Sequence, residues 1–132
     1  MIGLDTNILA RLLVGDDDKQ TAAAQRLISQ HDSSDPLFVS REVMLELIWL
    51  LTARYKYPLT AVRVALDGLF MSANLAIEDE EIIKTALYLA ERTGADISDA
   101  IIGTVADRRG CSKIVTFDKD AAKRIPGMEL LA

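Results

Sequence analysis

Four acidic residues, far apart along the chain, have the type and placement that a reaction centre needs. Asp5 and Asp118 each follow a short apolar run typical of a strand. Asp99 opens a helical pattern, and Glu46 lies in a helix that directly follows another strand. In a parallel sheet with short connections these positions lie along one edge, where open α/β sheets bind ligands. We therefore expect the four carboxylates to converge.

Converging carboxylates repel one another and cannot all ionise without compensation, which a divalent cation supplies. Oxygen ligands without His or Cys select Mg²⁺ or Mn²⁺. The only cysteine is Cys111 and the only histidine is His31, so a thiolate zinc site or a Ser/His or Cys/His nucleophile has little support. Such an ion can activate water and stabilise a leaving oxygen, so the acids predict metal-dependent phosphodiester hydrolysis.

Each acid also has a structural interpretation that the sequence leaves open. Asp5 is suited to capping the helix that follows it. Glu46 lies in the apolar run 43–51, where we expect it to be buried, and a buried carboxylate must be paired, protonated or coordinated. Asp96 and Asp99 compete for one ligand position: Asp96 can cap the helix, whereas Asp99 lies in its first turn, where the carboxylate can point off the helix end. The acid runs 16–18 and 78–81 are interpreted as solvated turns and helix-dipole partners.

The elements that would position these acids follow from apolar periodicity. Strands are predicted at about 2–4, 37–39, 75–77, 113–117 and 128–131, and helices at about 8–14, 18–30, 41–55, 60–71, 78–92, 96–108 and 119–124. Alternating strands and helices with short connections predict an α/β fold, a three-layer sandwich with a mostly parallel sheet flanked by helices.

Composition bounds the kind of protein. With 132 residues and 50% hydrophobic side chains, residues 1–132 are expected to form one domain with its own core. No signal sequence begins the chain, and the run 43–51 is too short to span a bilayer, so we expect a soluble, cytoplasmic protein with no membrane association. The net charge of −5 alone argues against nucleic acid, although bound cations would reverse the local sign.

Together the motifs resemble the PIN-domain nucleases, and specifically the VapC-type toxins of bacterial toxin–antitoxin pairs. The resemblance rests on Leu4-Asp5-Thr6-Asn7-Ile8-Leu9, Glu46-Leu47, Asp99-Ala100-Ile101-Ile102 and Thr116-Phe117-Asp118. It covers the whole chain, and the order of the motifs and the total length both fit. No one of these motifs is specific by itself, but four acids in this order on the expected elements rarely coincide.

The resemblance implies a sheet of about five parallel strands, a homodimer and an endoribonuclease that depends on Mg²⁺ or Mn²⁺. It assigns catalysis and metal binding to Asp5, Glu46, Asp99 and Asp118, with Thr6, Asn7, Asp96 and Thr116 as supporting residues. The implied substrates are tRNA, rRNA or mRNA, and the implied partner is a VapB-type antitoxin that forms a higher assembly with the toxin. Bases that could surround the site are Arg11, Arg41, Arg54, Lys56, Arg108 and Arg109.

Two other classes of protein compete with this interpretation. A haloacid-dehalogenase-like phosphatase also begins with a strand that ends in Asp, but it needs a second acid two positions later, where this chain has Asn7. A response-regulator receiver domain needs an early adjacent pair of acids that is absent here. A catalytically inert PIN-like interaction scaffold would have no need of all four acids.

Overall fold

A computed structural model describes the whole chain, Met1–Ala132. Its helices are α1 (Thr6–Val14), α2 (Asp18–Ser29), α3 (Arg41–Trp49), α4 (Leu59–Phe70), α5 (Glu80–Thr93), α6 (Ile97–Arg108) and α7 (Lys119–Arg124). Its strands are β1 (Leu37–Val39), β2 (Leu75–Ile77), β3 (Ile114–Thr116) and β4 (Met128–Leu130). The chain divides into two units, Met1–Glu80 and Glu81–Ala132.

The sheet of the first unit is parallel. β1 pairs with β2 in the register Leu37↔Leu75 to Val39↔Ile77, and Gly3 adds one parallel bridge to Phe38. The N–H of Phe38 donates to the carbonyl of Ile2 at 2.8 Å. The segment expected to be the first strand is therefore extended beside β1 but makes only one bridge, because the acidic turn into α1 follows at once.

Local sequence signals begin and end the helices of this unit. The side chain of Ser40 caps α3 by accepting from the N–H of Val43 at 3.2 Å. Gly15 ends α1 in the left-handed conformation, at φ 69°, which glycine adopts without steric cost. The predicted helix 41–55 is continuous, but after Trp49 it widens into a π-helical segment, Leu50–Arg54.

The first unit buries a continuous set of apolar side chains beneath its sheet and helices. The fully buried large side chains here are Leu9, Leu37, Val39, Met44, Leu47, Ile48, Leu51, Val62 and Leu66. Burying a Leu or Ile side chain stabilises the fold by about 1.5–3 kcal/mol, so the α1, α3 and α4 faces that carry these residues hold the unit together.

The second unit is built around a strand–helix–strand connection. β3 and β4 are parallel, in the register Ile114↔Met128 to Thr116↔Leu130, and α7 connects them. Ile83, Leu87 and Ala100 bring α5 and α6 into its core. Gly94, at φ 73°, ends α5, and Asp96 begins α6 two residues later.

The α/β class and the parallel strand direction are confirmed, whereas one sheet of about five strands is not. Each unit contributes a two-stranded sheet, and every strand is three residues long. Part of the reason lies in the sequence, because the helix caps Ser40 and Asp118 closely follow β1 and β3 and leave little backbone for a longer ladder there. No helix has the length and apolar character required to span a membrane.

Candidate active site

Two of the predicted site residues cap helices in the second unit. The carboxylate of Asp96 begins α6 by accepting from the N–H groups of Ser98 at 2.8 Å and Asp99 at 3.4 Å. The carboxylate of Asp118 begins α7 by accepting from the N–H of Ala121 at 3.0 Å. Each cap engages a single carboxylate oxygen, so the second oxygen of each side chain remains available to a ligand.

Asp99 differs from both because it lies inside the first turn of α6 and does not cap it. Its carboxyl is half-buried, and burial is the largest cause of its raised pKa. The negative charges of Asp96, Asp118 and Asp120 raise this pKa further. The structure therefore brings together three predicted site residues, Asp96, Asp99 and Asp118. Among them, the ionised form of Asp99 is disfavoured. We call these residues and Asp120 the acid cluster.

Asp120 belongs to the acid cluster, although it is not among the site residues predicted from the sequence. It lies two residues after Asp118, in the first turn of α7, and pairs with Arg124 at 2.8 Å. The available signal was the spacing Asp118-Lys119-Asp120, which places both acids at one helix start. Thr116, a predicted supporting residue, orients the cluster because its hydroxyl accepts from the N–H of Asp118 at 3.0 Å.

Asp5 lies in the first unit, at the carboxyl end of the extended segment beside β1. Its carboxylate accepts from the N–H of Thr6 at 2.8 Å, so the prediction that Asp5 caps α1 is confirmed. Thr6 is buried and Asn7 is exposed. The side chain of Asp5 is itself exposed, and a role in metal binding stays a prediction.

The expectation that Glu46 is buried is wrong, because its side chain is exposed. The helix is amphipathic despite its apolar run. One exposed stripe follows the helical spacing through Glu42, Glu46 and Trp49, while the opposite face buries Met44, Leu47 and Ile48. An exposed carboxylate is solvated by water and needs no pairing group or metal. Burial therefore gives no support to a functional role for Glu46. The family resemblance is the remaining support for its role.

A second group of charges lies at the carboxyl ends of β1 and β2, within the first unit. The guanidinium of Arg41 pairs with Asp79 at 2.7 Å, and the backbone N–H of Arg41 donates to Glu78 at 3.0 Å. The charge of Glu42, then the hydrogen bond and charge of Asp79, raise the pKa of Arg41. The acid run 78–81 is predicted to supply dipole partners of α5, and the structure adds that Glu78 and Asp79 also contact Arg41 at the start of α3.

The donors in the acid cluster suit a hard divalent cation. They are carboxylate oxygens, and after burial it is the charge of the neighbouring acids that raises the pKa of Asp99. Neither unit places three His, Cys, Asp or Glu side chains in a preformed cage. Mg²⁺ does not require such a cage, since it is commonly bound through one or two carboxylates and keeps several waters. The donor set of Asp99 and Asp118 therefore fits Mg²⁺ or Mn²⁺.

Comparison with known proteins gives two results. The chain is similar to a VapC ribonuclease of Aquifex aeolicus (strain VF5), with 23% identity over 116 residues, which are 88% of this chain and 86% of the relative. The PIN domain model matches residues 2–127, nearly the full length, and includes all four predicted acids. This chain therefore belongs to the PIN domain family.

Proposed function

We propose that this protein is a metal-dependent endoribonuclease that hydrolyses RNA phosphodiester bonds. The observation that carries the proposal is the half-buried Asp99, whose charge is disfavoured by burial and by the neighbouring acids. A site that disfavours its own negative charge is suited to a bound cation. Membership of the PIN family and similarity to a protein named VapC ribonuclease support RNA as the substrate class.

In the proposed site, Asp99 and Asp118 are the metal ligands of the second unit, while Asp5 and Glu46 stay predicted site residues of the first. A bound Mg²⁺ or Mn²⁺ would lower the pKa of a water ligand and neutralise charge on the phosphate. Thr116 holds the backbone before Asp118, and Asp96 holds the first turn of α6. These two residues therefore fix the directions from which the ligands approach.

We further propose that the protein is the toxin of a type II toxin–antitoxin pair, inhibited by a VapB-type antitoxin, and that it acts on tRNA, rRNA or mRNA in the cytoplasm. The name of the relative supports this assignment. A homodimer is supported by exposed apolar side chains on the first unit, since Trp49 is 60% exposed on α3 and Val64 is 63% exposed on α4.

The test is incubation of purified protein with total cellular RNA in Mg²⁺ or Mn²⁺, followed by mapping of new RNA ends. Asp99→Asn should abolish cleavage, because the amide cannot replace an ionised ligand, and EDTA should do the same. Asp5→Asn, Glu46→Gln and Asp118→Asn test the other three acids. The matched control is Asp18→Asn, an exposed acid in the first turn of α2 that should cleave like wild type.

Two outcomes would contradict the proposal. Metal-dependent cleavage at wild-type rate by Asp99→Asn would remove that residue from the site. If folded protein free of antitoxin cleaved no RNA, a catalytically inert scaffold or a phosphatase would be favoured. Release of phosphate from a small phosphomonoester would identify the phosphatase.

A further inference from the structure

A pocket lined by residues of α5 and α6 lies in the second unit, outside the acid cluster. Its volume is about 460 Å³, within the range of small-ligand sites. Leu89, Gly103 and Ile125 contribute apolar walls, while Arg92 and Asp107 place charges at its margin. We name it the α5–α6 pocket, after the helices that supply most of its lining.

The aromatic ring of Tyr88 is the first element of a nucleotide-binding chemistry. The residue is 64% exposed although its helix packs against the core through Ile83 and Leu87, so the ring stands on the pocket side in contact with solvent. Single-stranded RNA is recognised largely by bases stacked on such aromatic rings. An exposed tyrosine that lines an apolar pocket offers one face to a base.

Arg92 is the second element. It lies one turn after Tyr88 on α5, a spacing that makes the two side chains neighbours on the helix surface. Arg92 is exposed and forms no ion pair, in contrast to Arg108, which pairs with Glu81 at 3.2 Å. An unpaired guanidinium next to a stacking ring can bind the phosphate of the stacked nucleotide. Asp107, across the pocket on α6, presents a carboxylate acceptor to base amino groups.

The charge distribution favours RNA over an apolar peptide segment as the occupant. Residues 81–132 contain eight basic and eight acidic side chains, so the whole net charge of −5 belongs to residues 1–80. Four of those eight acids, Asp96, Asp99, Asp118 and Asp120, lie at the starts of α6 and α7. Outside those four acids the second unit has eight basic and four acidic side chains, while the pocket lining itself has one of each, Arg92 and Asp107. This basic excess outside the acid cluster suits a phosphate backbone.

We infer that the α5–α6 pocket binds one nucleotide of the single-stranded RNA substrate, with its base stacked on Tyr88 and its phosphate on Arg92. This inference rests on the proposed ribonuclease function. It also resolves how an acidic protein would hold RNA, because binding and hydrolysis use different side chains of the second unit.

The binding test uses a fluorescein-labelled single-stranded RNA of about ten nucleotides that contains all four bases, with EDTA to prevent cleavage. Tyr88→Ala should raise the dissociation constant roughly tenfold, and Tyr88→Phe should stay within about twofold, because the stacking face is kept. Arg92→Gln should weaken binding and reduce the slope of log Kd against log salt by about 0.7, the value of one phosphate contact on a single strand. Arg26→Gln, an exposed arginine of α2, is the charge-matched control with an unchanged slope.

A second measurement uses the wild-type protein and does not depend on how the variants fold. Photocrosslinking with the same RNA carrying 5-iodouracil should give an adduct on Tyr88, identified by mass spectrometry. The inference would be overturned if crosslinks formed only at other residues, or if Tyr88→Ala bound RNA as tightly as wild type. Either result would favour a protein segment as the occupant of the pocket. A cleavage assay separates this inference from the proposed function. Binding that depends on Tyr88 without any cleavage would contradict only the proposed function. Cleavage by Tyr88→Ala with the KM of wild type would contradict only this inference.

Discussion

Asp96 acts on Asp99 twice, since its carboxylate accepts from the N–H of Asp99 at 3.4 Å and its charge disfavours ionisation of the Asp99 side chain. The residue that begins helix α6 therefore also tunes the residue that follows within the same turn. Burial is the larger cause of the raised pKa, and Asp96 is the largest of the three charged causes.

Asp96→Asn should lower the pKa of Asp99 in the metal-free protein towards its ordinary value. The amide removes the charge but still caps α6, since Asn and Asp are comparable N-caps. Carboxyl-carbon NMR titration of Asp99 measures the shift directly. Asp118→Asn should act in the same direction, whereas Asp18→Asn in α2 should have no effect. An unchanged pKa in Asp96→Asn would contradict the role assigned to its charge.

Asp99→Asn should stabilise the metal-free protein at neutral pH and have little effect near pH 3. Folding raises the pKa of Asp99, so this side chain makes its full favourable contribution to the free energy of unfolding below the ordinary pKa. That contribution is lost as the pH rises through the raised pKa. The gain should stay below about 1 kcal/mol, because solvent screens a partly exposed charge. Urea unfolding at both pH values measures it. Equal stability of wild type and Asp99→Asn at neutral pH would contradict the expectation.

With added Mg²⁺ or Mn²⁺, wild type should become more stable than Asp99→Asn, which is the reverse of the order expected without metal. A cation that binds only the folded state raises the free energy of unfolding with its concentration. Wild type should therefore gain thermal stability with added metal, and Asp99→Asn should gain much less. Thermal melts over a metal titration, with Ca²⁺ and extra NaCl as comparisons, test this. Equal stabilisation of both proteins would indicate that the ion binds elsewhere.

Gly103→Ala should destabilise the second unit. A Cβ at this position would lie 2.7 Å from Cγ2 of Ile125, a buried β-branched side chain with little freedom to move. Overpacking of this kind costs about 1–3 kcal/mol. Gly68→Ala is the matched control, because it is also helical and a Cβ there meets nothing within 4 Å. That control should gain about 0.5–1 kcal/mol of stability from helix propensity. Chemical denaturation of both variants measures the difference, and a stabilised Gly103→Ala would contradict the packing argument.

Val64→Glu should weaken self-association without unfolding the protein. Val64 is largely exposed on α4, so a charge there costs little in the monomer but would be buried in a dimer formed through this face. Sedimentation analysis over a range of concentrations measures the association, and circular dichroism checks the fold. Gln25→Glu, exposed on α2, is the control. A wild-type protein that remains monomeric at high concentration would contradict the predicted homodimer.

The sequence alone was sufficient for the helices, for four of the five predicted strands and for their parallel direction, whereas the predicted strand 2–4 forms one bridge only. Helix starts at Ser40, Asp96 and Asp118 depend on hydrogen bonds to residues within three positions, and these are readable from residue types. The strand positions were recognisable as short apolar runs, although 113–117 and 128–131 were predicted longer than β3 and β4 are. Convergence of Asp5, Glu46, Asp99 and Asp118 was also predicted, because short connections bring the ends of parallel strands to one edge, and it stays a prediction.

Only the tertiary structure decided which side chains lie in solvent and which charges meet. Glu46 is exposed because packing selects one face of α3, and an apolar run does not reveal that choice. Asp120 joins the acid cluster, and Asp79 pairs with Arg41, through contacts between elements distant in sequence. Length and pairing of strands, burial and long-range charge pairs depend on how elements pack, whereas caps and turns depend on neighbours along the chain.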